Sequence, residues 1–251
     1  MMLDLTGPAM PSGDRVEPWT AWTARETRHQ AWVKDVRSRF LAVSVPLARS
    51  CGAHPDAMAG NNEATFFSGD LVRQFRCDDL RVVALDQPAI VEERGPGGRF
   101  ATLKRPLRDG NGRVVATLGI AWQWPGDRPL PALPADGARA RAAPPPWLRS
   151  VRARMERDFR APLRVRNVAA EFGVHPNHVS RAFRRYYGVT TLEWLHRLRV
   201  AWVAEMLISA ELALSTIAQR AGFADQAHMT RVFKRYYGLT PGEYRRELAL
   251  A

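Results

Sequence analysis

The residues of this chain best suited to chemistry come in two matching sets of cations. Arg181, Arg184 and Arg185 sit in the string SRAFRRYYGVT (Ser180–Thr190), and Arg231, Lys234 and Arg235 sit in TRVFKRYYGLT (Thr230–Thr240), fifty residues later. Chance recurrence of an eleven-residue basic and aromatic string is implausible, so the segment reads as two copies of one structural unit. Cations at this density pair with anionic oxygen, and the whole chain points the same way. Its 37 Lys and Arg against 25 Asp and Glu give a formal net charge of +12 and a pI near 10.8, which fits a polyanionic partner. From Trp147 to the end, 18 basic residues face 9 acidic ones, a net of +9 that leaves +3 for the first 146 residues.

Other chemistries find little support. Asp78 with Asp79 and Glu92 with Glu93 are adjacent carboxylates that point in different directions on a helix or strand, which suits a solvated face better than acid–base work. Cys51 and Cys77 form no CxxC pair and lack a His-rich neighbour, so both read as buried or half-buried thiols. His178 and His228 lie fifty residues apart without further ligands, a poor metal site, and read as surface or base-contacting groups. The sequence has no Gly-rich phosphate loop and no nucleophile elbow. These readings predict a protein that is not an enzyme and uses no metal or cofactor. The absence of an apolar run of about 18 residues, together with an N-terminus that lacks a signal pattern, predicts a cytoplasmic protein without membrane contact.

The elements that position the cations follow from periodicity. Residues 1–26 lack a clear pattern and are expected to form a loosely ordered arm, and 27–124 form a first domain. The span 125–146, with seven prolines, reads as a semi-rigid linker. After it the pattern is helical throughout, giving an all-α domain over 147–251. Trp147, Val151, Met155 and Phe159 mark a first helix, Val165–Gly173 a short second one, and Pro176–Gly188 a third. A long helix over 191–210 carries Leu192, Leu195, Leu198, Trp202, Met206 and Leu207, and the short helix, Gly and basic helix then recur at Ile217–Ala221, Gly222 and Asp225–Tyr237. Each pair fits a helix-turn-helix: small Ala169 and Ala218 at the close approach, Gly173 and Gly222 at the turn, and Phe183 and Phe233 anchoring the second helix.

The second unit, GFADQAHMTRVFKRYYGLTPGEYRR (Gly222–Arg246), resembles the signature of the AraC/XylS transcriptional regulators almost position by position, and the likeness covers about Trp147–Glu247. One departure is His175, standing where the family usually has a Ser or Thr helix cap. The resemblance implies about seven helices, with two recognition helices entering successive major grooves of double-stranded DNA at a promoter or operator. It also implies base-edge contacts from Asn177, Ser180 and Arg181 in the first unit and from Gln226, Ala227, His228, Thr230 and Arg231 in the second. Arg suits guanine, Asn or Gln suits adenine, and Thr or Ala methyls suit thymine. Arg184, Arg185, Lys234 and Arg235, later on the same helices, suit phosphates. RNA polymerase is an implied partner. In the competing reading, Arg181 and Arg231 brace the fold by pairing with an acid such as Glu171. Tyr186, Tyr187, Tyr236 and Tyr237 read as packing and helix-end residues.

Residues 27–124 show a β-rich rhythm. AWVKDV and RFLAVS suggest a hairpin, short helical segments follow, and PAIVEE, GRFATLKRPL and RVVATLGIAWQW read as three antiparallel strands, the last two joined by the Arg108–Gly112 turn. This α+β outline and KRPLRDGNGRVVATLGIAWQW resemble a PAS domain, which implies sensing or dimerisation through a small-molecule effector or a protein partner, with a possible homodimer. The flavin-binding Asn-Cys-Arg-Phe string of light sensors is absent, and neither His29 nor His54 aligns with a haem ligand. The expected function is a sequence-specific transcriptional regulator under PAS-like control. A non-specific nucleoid-type binder and a DNA-repair alkyltransferase are the alternatives. The alkyltransferase needs a reactive thiol that the surroundings of Cys51 and Cys77 do not supply.

Overall fold

The computed structural model describes residues 11–26, 28–95, 97–127, 129–131 and 144–249. The chain divides into two compact units, Met1–Pro134 with Arg246–Ala251, and Ala135–Arg245. Most of the expected linker, along with residues 1–10 of the expected arm, lies outside the described residues.

Within the described part of the expected arm, Val16–Arg25 form a helix. Val16, Trp19, Trp22 and Thr23 recur at helical spacing, and α1 (Val16–Arg25) buries both tryptophans. They meet edge to face at 5.6 Å and pack on Ala31, Val33, Leu107, Ala116, Leu118 and Ile120. Trp19 Nε1 donates to the Gly13 carbonyl at 3.0 Å, so its one polar atom is satisfied inside the apolar layer.

A five-stranded antiparallel sheet follows, made of β1 (Gln30–Asp35), β2 (Phe40–Val43), β3 (Ala89–Gly95), β4 (Gly98–Arg108) and β5 (Val114–Gln123) in the order β2-β1-β5-β4-β3. Both expected hairpins form. Ser38 turns the first with φ 61°, and Gly112 turns the β4–β5 connection with φ 75°. Alternation along the strands sends Ala116, Leu118 and Ile120 to the α1 face. Trp32, Phe100 and Ala121 go to the opposite face with Phe40, Val43, Leu47, Ala48 and Met58.

That opposite face carries α2 (Val45–Ser50), α3 (Pro55–Met58), a 3₁₀ turn at Glu63–Thr65 and α4 (Gly69–Leu85). The expectation of short helices fails at α4, which runs 17 residues. Its buried stripe includes Arg76 and Asp79, and these break the apolar period that the sequence pattern depends on. The expected solvated carboxylates are corrected with it. Asp79 and Glu93 are buried, because Lys34 on β1 and Lys104 on β4 reach the same layer. Lys34 Nζ lies 2.8 Å from Glu63 and 2.7 Å from Asp79, and Lys104 Nζ lies 2.8 Å from both Asp79 and Glu93. Burial alone pushes the Asp79 carboxyl up, but Lys104 and Lys34 reverse that and hold it below its usual value. A network of this kind stabilises little over apolar packing, yet removing one partner strands a buried charge.

The second unit is helical: α5 (Pro146–Asp158), α6 (Val165–Glu171), α7 (Pro176–Tyr187), α8 (Thr191–Ser209), α9 (Leu214–Arg220), α10 (Gln226–Tyr237) and α11 (Pro241–Ala249). α5, α6 and α7 pack together with α8, and α9 and α10 pack on α8 as well. α8 spans about 28 Å at 1.5 Å per residue. Its buried apolar positions are Trp194, Leu195, Val200, Val203, Ala204 and Leu207, whereas Leu192, expected on the stripe, is 55% exposed. The face differs from the simple stripe because α8 serves helices of both copies.

The repeat also reaches further than the RYYG strings. Gly188 and Gly238 end α7 and α10 in the left-handed region, and each is followed by a matching cap in which Thr190 pairs with Glu193 and Thr240 with Glu243. These caps start α8 and α11 at equivalent points.

Candidate nucleic-acid interface

Each basic helix is aimed by the turn before it. α6 ends as Gly173 takes φ 63° and Val174 N donates to the Ala169 carbonyl at 3.0 Å, and α9 ends as Gly222 takes φ 79° and Phe223 N donates to Ala218 at 3.0 Å. Ala169 and Ala218 are fully buried at this junction, where a larger side chain would hold the helices apart. The second turn is one residue longer, so α7 starts from His175 and α10 from Asp225. His175 does cap its helix: Nδ1 accepts from Asn177 N at 3.3 Å. The Asp225 carboxylate accepts from His228 N at 2.7 Å. Phe183 and Phe233, both at 0% exposure, pin the middle of each basic helix to the core beside Val179 and Met229.

Pinning one face leaves the other outward in the same register. On α7 the exposed positions are Asn177, His178, Arg181, Arg184 and Arg185, and on α10 they are Gln226, Ala227, Arg231, Lys234 and Arg235. Ser180 and Thr230 sit half-buried at the edge of that face. The structure thus brings the sequence-named residues of each helix onto one surface.

The bracing alternative finds no geometry. Glu171 is held by Arg154 at 2.9 Å, and among the described residues Arg181, Arg184, Arg231 and Lys234 make no ion pair. Arg235 lies 4.0 Å from Glu193, and Arg185 rests over the Tyr186 ring. Cations left without carboxylate partners on one helix face are available to phosphate oxygen and to base edges.

The aromatics behind them divide. Tyr237 is buried against Phe233 at 4.6 Å, and Tyr187 stands edge-on to Phe183 at 5.0 Å, where burial raises its hydroxyl above the usual value. His228 packs edge-on against His196 at 5.6 Å and Phe223 at 5.3 Å, so only part of its ring faces outward. Burial first, then the electrostatic influence of His228 and Arg199, holds His196 below the ordinary histidine value.

One residue of this surface was read differently from sequence. The sequence pattern expects Trp147 on the core stripe of α5, whereas that stripe is Leu148, Val151 and Met155. The Trp147 ring instead lies against His178 at 5.1 Å, in a cleft shared with Arg181, Arg185 and Tyr186. The i, i+3, i+7 spacing of Leu148, Val151 and Met155 was the signal for it. Among the described residues no group of three or more His, Cys, Asp or Glu is placed to hold a metal, and no helix is long and apolar enough to cross a membrane. Cys51 and Cys77 form no disulfide and are half-buried, and burial raises the Cys51 thiol.

Residues 168–247 match a family model described as a helix-turn-helix domain, and the match spans both turns and both basic helices. The C-terminal unit therefore contains a helix-turn-helix domain. A transcriptional regulator of the helix-turn-helix type from Escherichia coli K12, YpdC, is 36% identical over 87 residues, which cover 35% of this chain and 30% of that protein. The methanogenesis regulatory histidine kinase FilI of Methanothrix harundinacea is 30% identical over 105 residues, 39% of this chain and 12% of that one. The chain therefore spans under a third of either relative. A crystal structure of a transcriptional regulator from Chromobacterium violaceum, described as having an AraC-type DNA-binding domain, is 24% identical. It covers 41% of this chain and 93% of its own, with a TM-score of 0.39. Within this helix-turn-helix domain, both copies share the buried Ala, the turn Gly, the buried Phe and the outward Arg181/Arg231 and Arg185/Arg235, while Asn177/Ala227, Ser180/Thr230 and Arg184/Lys234 differ on the outer face.

Proposed function

We propose that this chain is a sequence-specific, DNA-binding transcriptional regulator whose α7 and α10 enter successive major grooves. The observation that carries the reading is the shared register of the two outward faces. Asn177, Ser180, Arg181 and the pair Arg184 and Arg185 on α7 recur fifty residues on as Ala227, Thr230, Arg231 and the pair Lys234 and Arg235. In this reading Asn177, Ser180 and Arg181 read one half-site, and Gln226, Ala227, His228, Thr230 and Arg231 read the other. Arg184, Arg185, Lys234 and Arg235 hold phosphates. Different residues in the same positions make the half-sites different, which is what separates sequence reading from general polyanion affinity. α8, at about 28 Å, is of the right length to set two helices about one duplex turn, roughly 34 Å, apart.

The strand order β2-β1-β5-β4-β3, with all helices between β2 and β3 on one face and α1 on the other, supports the PAS-like reading of the first unit. That unit would take a small-molecule effector or a protein partner, homodimers included, and change the promoter occupancy seen by RNA polymerase, in a cytoplasmic setting. The test is selection from random duplexes with the full-length protein. A single enriched site with two unlike elements about one turn apart supports the reading, and recovery of unenriched sequence at any salt concentration refutes it.

A further inference from the structure

A cavity of about 40 Å³ lies inside the first unit, between the sheet face formed by Gln30, Trp32, Phe100, Thr102 and Ala121 and the layer of α2, the 3₁₀ turn and α4. Register explains the hollow. Thr102 and Gln30 both pair with Ala121 on the strand between them, and Trp32 pairs with Gly119, so two small residues sit between larger flanks. A Cβ on Gly119 would lie 2.1 Å from the Trp32 ring, so that glycine keeps the indole flat on the sheet.

Four lining side chains carry buried polar atoms with no hydrogen-bond partner: Glu63 Oε2 and Glu93 Oε1 face Arg76 and Lys104 as ion pairs, whereas Trp32 Nε1 and Thr102 Oγ1, on residues 7% and 0% exposed, face no such partner. Orphaned groups at such burial are rare and call for an occupant. The charged groups around them are already matched. Lys34, Lys104 and Arg76 face Glu63, Asp79 and Glu93, three cations to three carboxylates, with Arg76 Nε 3.5 Å from Glu63. Among the buried groups no counter-charge is left free for a charged occupant, and Arg94, which also lines the cavity, is solvent-exposed.

From this geometry we infer that the cavity is a binding site for a small neutral molecule bearing a hydrogen-bond acceptor, a carbonyl compound such as a short amide or ketone, with its apolar part against Phe40, Phe67, Phe75 and Phe100. Trp32 Nε1 can only donate, and the Thr102 hydroxyl can donate, so the occupant supplies the accepting oxygen. The cavity, which is partly open to solvent, holds roughly three waters, which limits the buried part of the ligand to a few non-hydrogen atoms. This inference rests on the reading of the first unit as an effector-sensing module and names the effector's chemistry.

The test uses the full-length protein and ¹H–¹⁵N spectra, with the Trp32 indole N–H assigned from a Trp32→Phe variant. Acetamide is titrated as the neutral probe and acetate as the anion of the same shape. Acetamide should shift the Trp32 indole resonance saturably, and acetate should not. Thr102→Val, which keeps the shape and removes the hydroxyl, should weaken acetamide binding about fivefold to tenfold. If Thr102→Val does not fold, the acetamide-to-acetate contrast in the native protein still decides. No saturable shift with acetamide, meaning that the cavity holds water only, overturns the inference, as does equal binding of acetate. The readout is independent of DNA, so loss of this inference and loss of the DNA-binding reading are separately visible.

Discussion

Gly173 and Gly222 occupy the same place in the two helix-turn-helix units, yet the structure predicts very different costs for replacing them with Ala. Both take positive φ, 63° and 79°, a region that costs a residue with a Cβ about 1–2 kcal/mol. At Gly173 an added Cβ meets nothing within 4 Å, so that strain is the whole cost. At Gly222 the same Cβ would lie 2.6 Å from the Arg160 carbonyl oxygen and 3.0 Å from Arg199 Nη2. Arg199 cannot swing aside freely, because its Nε donates to the Phe159 carbonyl at 2.8 Å and its Nη2 to Ala161 at 3.0 Å, tying α8 to the end of α5. A backbone atom must move, and the total reaches about 3–5 kcal/mol. Urea unfolding of Gly173→Ala and Gly222→Ala, followed by helical circular dichroism, measures both. Gly173→Ala should lose about 1–2 kcal/mol and keep binding to a two-element duplex, while Gly222→Ala should lose at least about twice that and weaken the half-site read by α10. Equal losses, or a larger loss at Gly173, would refute the argument from close approach.

Asp78 offers a pH test. Burial pushes its carboxyl up to about 6, with Lys104 opposing and Glu93 and Asp79 adding to the rise. The folded value lies above the unfolded one of 3.8, so the folded state bears a penalty that is complete above about pH 6 and relieved as pH falls toward 4. Asp78→Asn should therefore stabilise the protein by about 1–3 kcal/mol at pH 7 and by little near pH 4, as read from urea midpoints, and an equal gain at both values would count against it. On the proposed DNA surface, Arg231→Ala should relax preference at one base position by about 1–3 kcal/mol, whereas Lys234→Ala should weaken all sequences alike and flatten the salt slope. Parallel losses on specific and random duplexes for both variants would dissolve that division of roles. Thr240→Val removes the hydroxyl that accepts from Glu243 N at 3.2 Å, and should cost about 1 kcal/mol in thermal unfolding. An unchanged midpoint would show that the cap of α11 contributes nothing.

The helical half was legible because its constraints are local. Gly173, Gly188, Gly222 and Gly238 each mark a left-handed turn, and Phe183 and Phe233 mark the buried side, so the exposed residues opposite could be named without coordinates. Boundaries and faces were less legible where a helix serves two partners, as in α8, or where two adjacent apolar residues compete for the core, as Trp147 and Leu148 do in α5. The strands of the first unit followed from alternation. The buried charges did not: Asp79 on α4, Glu93 on β3, Lys34 on β1 and Lys104 on β4 are far apart in sequence, and each alone reads as a solvated residue. α1 was missed because two tryptophans and a valine at helical spacing sit among Gly, Pro and charge. The cavity between Trp32 and Thr102 depends on strand register, which no single segment encodes.

The central claim is that one chain reads two unlike elements on one face of a duplex. Fluorescence anisotropy of the full-length protein on its selected duplex, compared with the same duplex carrying a 5-base-pair insertion between the elements, tests it most directly. The insertion turns the second element by about half a helical turn, so the account predicts at least about a tenfold loss of affinity, restored in part when the insertion is about 10 base pairs and DNA bending allows. Equal affinity for the native and 5-base-pair duplexes would contradict the account.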